Sequence, residues 1–213
     1  MKKNIQLKVC GMRDHSNITG VSAIAPDFLG FIFYRGSKRF VGDDFQLPAS
    51  LPEQIKRVGV FVNEEKETVL QKVAQHHLDF VQLHGEELPV ICKKLRSHVG
   101  VIKVFLIDEN FSFESLRPYV PFVDYFLFDT KSASYGGSGK TFDWKLLDRY
   151  TEQVPFFLSG GLNPENMDEA LALQHPQFFA VDVNSGVESD YAVKDISKII
   201  KLKSKIVNHE IHG

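Results

Sequence analysis

Eight short apolar runs recur along the chain, and amphipathic stretches separate most of them. The runs fall at 5–10 (IQLKVC), 28–33 (FLGFIF), 57–62 (RVGVFV), 79–83 (DFVQL), 101–106 (VIKVFL), 124–128 (DYFLF), 154–158 (VPFFL) and 178–183 (FFAVDV). They are rich in Val, Ile, Leu and Phe, and many lack a strict apolar–polar alternation. Strands buried on both faces of a parallel sheet carry that pattern. Between them, Val69, Leu70 and Val73 recur at helical spacing within 64–76, and Leu88, Ile91, Cys92 and Leu95 within 86–98. Residues 164–173 form a further helical stretch, with Asn163 predicted as N-cap and Pro164 at the first helical position. A last helix is predicted from about 193, where Ile196, Ile199, Ile200 and Leu202 supply the apolar face. Pro48 and Pro52 weaken any helix near 49–55.

Strand followed by helix, repeated to the end, is the order of an α/β protein. Right-handed crossovers leave two architectures, a closed barrel or an open doubly wound sheet. A count of eight strands favours the single (β/α)8 TIM barrel, and 213 residues suit one such domain. The domain is expected to span 1–206, with 207–213 (VNHEIHG) as a frayed tail.

Charge narrows the partners. Acidic residues number 27 and basic residues 25, a formal charge of -2, so nothing in the balance points to nucleic acid or an anionic membrane. A local patch can still take a small anion. No apolar run reaches the length of a membrane span, and MKKNIQLKVCG lacks the apolar core of a signal peptide. Cys10 and Cys92 form neither a CxxC nor a metal-ligand spacing, and no HxxxH or carboxylate cluster stands out. The expectation is a soluble, cytoplasmic protein with free thiols and no metal.

In an α/β barrel the chemistry sits at the C-terminal ends of the strands. The seventh run ends in Ser159-Gly160-Gly161 and the eighth in Asp182-Val183-Asn184-Ser185-Gly186. Glycines there let backbone N–H groups close on an oxyanion, so Gly160, Gly161, Ser185 and Gly186 are candidate phosphate ligands; the alternative is a pair of turns that merely end strands. Cys10 ends the first run beside Lys8, whose charge favours a thiolate base or nucleophile; a buried packing thiol is the other reading. Asp129 follows apolar residues at the end of the sixth run, where desolvation raises a carboxyl toward general-acid duty, or where it caps a turn. Asp182 occupies the same place on the eighth. Arg39, in a loop with Arg35 and Lys38, offers a planar fork for a carboxylate or belongs to a solvated basic loop. His84 is a ligand contact or a structural histidine, and Cys92 belongs to a helix core.

Taken in order, these strand ends resemble the phosphoribosylanthranilate isomerase family over essentially the whole chain. The matching segments are KVCGM at 8–12, SKRFV at 37–41, GVFVN at 59–63, QLHG at 82–85, FDT at 128–130, GGSGKTFDW at 136–144, LSGGL at 158–162 and DVNSGVE at 182–188. Two positions depart from the family's usual residues: Lys38 stands where proline is common, and Asn184 where serine is common. The resemblance implies an Amadori rearrangement of N-(5-phosphoribosyl)anthranilate in tryptophan biosynthesis, without metal or organic cofactor. It further implies Asp129 as general acid, Cys10 as general base and Arg39 on the anthranilate carboxylate. The phosphate would rest on the loops at Gly160-Gly161 and Ser185-Gly186, with His84 and Asp182 as further ligand contacts.

Other phosphate-binding barrels share this fold, among them indole-glycerol-phosphate synthase and the sugar isomerases of histidine synthesis. The synthase is expected to present lysine and glutamate at several strand ends, where this chain has Cys10 and Asp129. A catalytically dead binding barrel predicts ligand binding without turnover, and the intact Cys10–Asp129 pair argues against it. Monomer and homodimer both remain open.

Overall fold

Every apolar run becomes a strand in the computed structural model, which describes residues 4–130 and 141–212. The strands are β1 (Gln6–Val9), β2 (Phe28–Ile32), β3 (Lys56–Phe61), β4 (Phe80–Leu83), β5 (Gly100–Ile107), β6 (Tyr125–Thr130), β7 (Phe156–Leu158) and β8 (Phe178–Val183). They pair in parallel in chain order, and β8 returns to β1 to close the barrel. The (β/α)8 architecture expected from the count is the one observed.

The helical layer is less regular than the strands. It contains α1 (His15–Ser22), α2 (Lys66–His76), α3 (Pro89–Arg96), α4 (Met167–Leu171) and α5 (Ile196–His212). The sequence reading did not single out α1, whose Gly20 and polar residues blur its periodicity. Asp14 starts it, its carboxylate accepting the Asn17 N–H at 2.9 Å. Between β2 and β3 the prolines prevail: single turns close from the Leu51 N–H to the Pro48 carbonyl and from the Ile55 N–H to the Pro52 carbonyl. After β5 and β6 come the 3₁₀ segments Phe113–Phe122 and Trp144–Arg149. Pro118 and Pro121 remove N–H donors that an α-helix would need in the first of these. The cap expected at Asn163 acts one turn early. Its side chain accepts from the N–H groups of Glu165 and Asn166, at 2.9 and 3.1 Å, and Asn166 then occupies the N-cap position of α4. The last helix runs to His212, into the segment expected as a tail. No helix among the described residues is long and apolar enough to cross a membrane.

Alternation along the strands decides what faces the barrel axis. Leu7 and Val9 pack outward into the layer shared with the helices, and Lys8 and Cys10 point inward. The lower interior is apolar, filled by Phe28, Val58, Ile102, Leu127, Phe157 and Ala180. Burying a side chain such as Phe157 stabilises the fold by about 1.5–3 kcal/mol. Toward the C-terminal ends the same inward rows turn polar, with Lys8, Gln82, Ser159 and Asp182 all buried. A short antiparallel hairpin, β9 (Glu188–Asp190) and β10 (Val193–Lys194), follows β8 and reaches over that end.

Candidate active site

A cavity of about 500 Å³ opens at the C-terminal end of the barrel. All nine residues singled out at the strand ends line it. Their juxtaposition follows from the fold: each lies at the end of a strand or in the loop after it, and closure turns eight strand ends into one rim.

Cys10 is the last inward side chain of the β1 row and is 4% exposed. Gly30 on β2 makes its place, because a Cβ there would lie 2.7 Å from the Cys10 sulfur. Below Cys10, the Lys8 ammonium meets the Asp182 carboxylate at 2.7 Å, and the Ser159 hydroxyl donates to the other Asp182 oxygen at 3.3 Å. Burial opposes the Lys8 charge, yet Asp182 and Cys10 together push its pKa above the ordinary lysine value. For Cys10, burial dominates and pushes the thiol up; Lys8 pulls the other way and Asp182 works against Lys8. The expected thiolate-favouring effect of Lys8 is therefore present but outweighed.

Asp129 ends the inward row of β6, with its side chain 25% exposed. Burial, followed by the like charge of Asp182, pushes its pKa up to about 6. The Thr130 N–H, donating at 2.8 Å, pulls against that shift. His84 Nε2 stands 3.7 Å from the Asp129 carboxylate, and its Nδ1 lies 3.1 Å from the Gln82 amide nitrogen. Burial first, then the cations Lys103 and Lys8, push His84 down to about 4. Near neutrality the site thus holds a neutral imidazole beside a carboxyl that titrates close to the working range.

Arg39 is not a solvated basic residue. Its Nε and Nη2 donate to the two Glu188 oxygens at 2.8 and 2.6 Å. Glu188 also accepts from the Lys194 ammonium at 2.7 Å, and that ammonium donates to the Asn184 side-chain oxygen at 2.6 Å. The network ties the loop after β2 to the hairpin after β8. Burial works against the Glu188 charge, but Arg39 and Lys194 hold its pKa below the ordinary value. Lys38 reinforces the tie, donating to the Tyr191 hydroxyl at 3.2 Å. A guanidinium has a second edge, Nη1–Nη2, suited to another planar anion.

The loops after β7 and β8 form the remaining wall. Gly160 and Gly161 adopt φ of +90° and +70°, a conformation that side chains disfavour. A Cβ at Gly160 would also run into Thr130. The Asn163 and Asn166 amides both donate to the Gly161 carbonyl, at 3.2 and 3.0 Å, and hold that turn. Ser185-Gly186 begins a 3₁₀ turn, Ser185–Val187, on the facing loop.

Sequence reasoning did not assign Gln82, Ser159, Glu188 or Lys194 a role. Lys194, directly after Ala192-Val193, carried the one local signal, but its pairing with Glu188 depends on the β9–β10 register. The part of GGSGKTFDW at 136–140 lies outside the described residues. Cys92 is buried in α3, as expected of a core residue. Among the described residues, no group of three or more His, Cys, Asp or Glu side chains is placed to hold a metal ion.

Residues 7–205 match the sequence profile of the family described as PRAI, N-(5'phosphoribosyl)anthranilate (PRA) isomerase. The chain is 45% identical over 206 residues to N-(5'-phosphoribosyl)anthranilate isomerase of Parabacteroides distasonis, covering 95% of this chain and 93% of the relative. Its fold superposes with a TM-score of 0.82 on the crystal structure of phosphoribosyl anthranilate isomerase from Thermotoga maritima, at 37% identity over 96% of this chain and 99% of that one. A phosphoribosyl anthranilate isomerase solved in complex with reduced 1-(o-carboxyphenylamino)-1-deoxyribulose 5-phosphate gives a TM-score of 0.79 at 34% identity, over 96% and 99% of the two chains.

Proposed function

The chain belongs to the phosphoribosylanthranilate isomerase family, and from that premise we infer the roles of its cavity residues. The enzyme isomerises N-(5'-phosphoribosyl)anthranilate in tryptophan biosynthesis. Asp129, in its protonated form, gives its proton to the ribose ring oxygen. The C1–O bond breaks and the anthranilate nitrogen becomes an iminium. Cys10, as thiolate, removes the proton from sugar C2, and the electrons pass into C1=N. The resulting enol tautomerises to the ketone, 1-(2-carboxyphenylamino)-1-deoxyribulose 5-phosphate. The iminium is the electron sink, so this scheme uses neither a metal nor an organic cofactor. Its positive charge also favours the thiolate, opposing the burial that disfavours it.

One observation carries the assignment: Cys10 and Asp129 enter the same cavity from β1 and β6, three strands apart around the closed rim. That spacing suits an acid and a base working on opposite sides of one ribose. Arg39 takes the anthranilate carboxylate on its free edge. The loops at Gly160-Gly161 and Ser185-Gly186 take the phosphate through backbone N–H groups. His84 and Asp182 line the sugar between them. Cytoplasmic residence is part of the proposal, in keeping with two free buried thiols.

Growth of a strain lacking this isomerase, on medium without tryptophan, tests the roles directly. The wild-type gene should restore growth, and equally expressed Cys10→Ser and Asp129→Asn variants should not. Rescue by both variants at the wild-type rate would overturn the acid–base assignment.

A further inference from the structure

Gln82 is the one strongly polar side chain of β4 that faces the cavity from below the rim, and it is 1% exposed. Its amide nitrogen lies 3.1 Å from His84 Nδ1. Its carbonyl oxygen is buried and has no hydrogen-bond partner among the described residues. Turning the amide over would put the NH2 group in that unpartnered place. Both N–H donors would then be stranded, whereas as placed the amide strands its carbonyl oxygen and one N–H; an unpartnered buried N–H is the rarer and costlier of the two defects. The amide nitrogen therefore faces the ring, and the ring nitrogen it meets must accept.

We propose that Gln82 is a positioning residue: by donating to His84 Nδ1 it fixes the imidazole proton on Nε2, the nitrogen that faces the Asp129 carboxyl. The proposal rests on the reading of Asp129 as the general acid. The tautomer matters because the two ring nitrogens do opposite things. An Nε2–H can only donate, so it leaves the Asp129 proton alone and stabilises the carboxylate formed once that proton has gone to the sugar. The other tautomer would present a bare lone pair, which competes with the ring oxygen for the same proton. The groups around the imidazole support the neutral donor form. Lys103 on β5 and Lys8 on β1 are cations that disfavour a charged ring, and Glu87, after β4, opposes them. Asp129 on β6 is the carboxyl that the N–H faces, 3.7 Å from it and beyond hydrogen-bond distance in the free site.

Two substitutions of nearly equal length separate this role from packing. Gln82→Met keeps the volume and removes the donor. Gln82→Glu reverses the polarity, since a carboxylate accepts from Nδ1–H and drives the proton off Nε2. The first readout is the tautomer, from long-range nitrogen–proton NMR of histidine-labelled protein, with the His84 signal identified by its loss in His84→Gln. Wild type should show the Nε2–H form, Gln82→Glu the Nδ1–H form and Gln82→Met a mixture. The second readout is kinetic. Turnover should fall about tenfold in Gln82→Met and about a hundredfold or more in Gln82→Glu, with KM nearly unchanged. The limb of kcat/KM set by Asp129 should move to higher pH in Gln82→Met, because the carboxylate no longer has an N–H dipole held toward it.

A wild-type His84 protonated on Nδ1 would overturn the proposal whatever the variants do. So would wild-type turnover and pH dependence in a folded Gln82→Glu protein. If Asp129→Asn alone keeps full activity while the tautomers behave as expected, the acid assignment fails and the hydrogen-bond assignment stands. An inactive Asp129→Asn with His84 on the wrong tautomer sinks only the role of Gln82.

Discussion

Lys8 and Asp182 are register partners across the seam that closes the barrel, and their side chains form a 2.7 Å ion pair inside it. Neither is appreciably exposed, at 0% and 5%. This pair tunes the protonation of Cys10 on top of the burial that dominates it: Lys8 pulls the thiol down and Asp182 pushes it back up. In the ligand-free enzyme, alkylation of Cys10 by iodoacetamide should be slow at neutral pH, with a midpoint above the ordinary thiol value of 9.0. Asp182→Asn should lower that midpoint, and Lys8→Met should raise it. Lys8→Met also strands a buried carboxylate, at a cost of about 3–5 kcal/mol, so the rates must be taken on protein shown to be folded. Peptide mapping identifies the modified cysteine. An Asp182→Asn midpoint equal to wild type would mean that the pair does not govern the thiol.

Asp129 should make the protein less stable as it makes it active. Its folded pKa, about 6, lies above the unfolded carboxyl value of 3.8. Between those values the folded state holds more protons than the unfolded one. Stability linked to this group is therefore fully present below about pH 4 and is lost as pH rises through about 6. Above that point an ionised carboxylate sits in a poorly solvated place. Asp129→Asn mimics the protonated form, so it should be more stable than wild type at pH 7 by about 1–3 kcal/mol. The advantage should shrink toward zero near pH 4. Urea titrations of both proteins at several pH values give the comparison, and a difference independent of pH would refute the linkage.

What the sequence made legible divides along a physical line. The strands could be read because a strand buried on both faces leaves an apolar mark whatever its neighbours are, as in 28–33. The rim residues could be read because a strand end is a local position: Cys10, Asp129 and Asp182 each end an apolar run. The partners could not. Lys8 and Asp182 are 174 residues apart, and Arg39 and Glu188 are 149 apart. Only closure and strand register bring them together. Local rules also failed where two features compete: α1 carries a good cap but weak periodicity, and Asn163 closes a turn just before the helix it was expected to start.

The Arg39–Glu188 pair separates binding from chemistry. Arg39→Ala should lower kcat/KM by roughly tenfold to a few hundredfold, the worth of one or two charge-assisted hydrogen bonds. Arg39→Lys should recover only part, since an ammonium lacks the planar fork. Glu188→Gln is the more informative change. It keeps the guanidinium but loosens its aim, so KM should rise by about tenfold with kcat nearly unchanged. Because Lys194 also loses its anion, some stability should go too. Steady-state kinetics at fixed pH decide the matter. Equal KM values for wild type and Glu188→Gln would show that Glu188 only braces the hairpin.

The last prediction concerns the order of the two catalytic pKa values. The base, Cys10, is pushed above 9.0, and the acid, Asp129, only to about 6. Productive free enzyme needs the thiolate together with the protonated carboxyl, which is the minor arrangement at every pH. Between the two pKa values the falling share of acid and the rising share of base cancel. Wild-type kcat/KM should therefore climb to about pH 6, stay level, and fall only above the thiol pKa. Asp129→Asn should lose about 10²–10⁴-fold in kcat, and its residual rate should keep rising across the range where wild type is flat. Cys10→Ser should be similarly impaired, because a hydroxyl nearly keeps the shape but is a far weaker acid than a thiol. Both should keep KM close to wild type, as Arg39 and the glycine loops still hold the two ends of the substrate. Cys92→Ala is the internal comparison. It empties part of a buried site in α3, so it should cost about 1 kcal/mol or more of stability while the rate per folded molecule stays the same. Full pH profiles of the four proteins distinguish the outcomes. If Asp129→Asn follows a flat line from pH 6 to 9 as wild type does, the limb near pH 6 does not belong to Asp129 and the acid must be sought elsewhere on the rim.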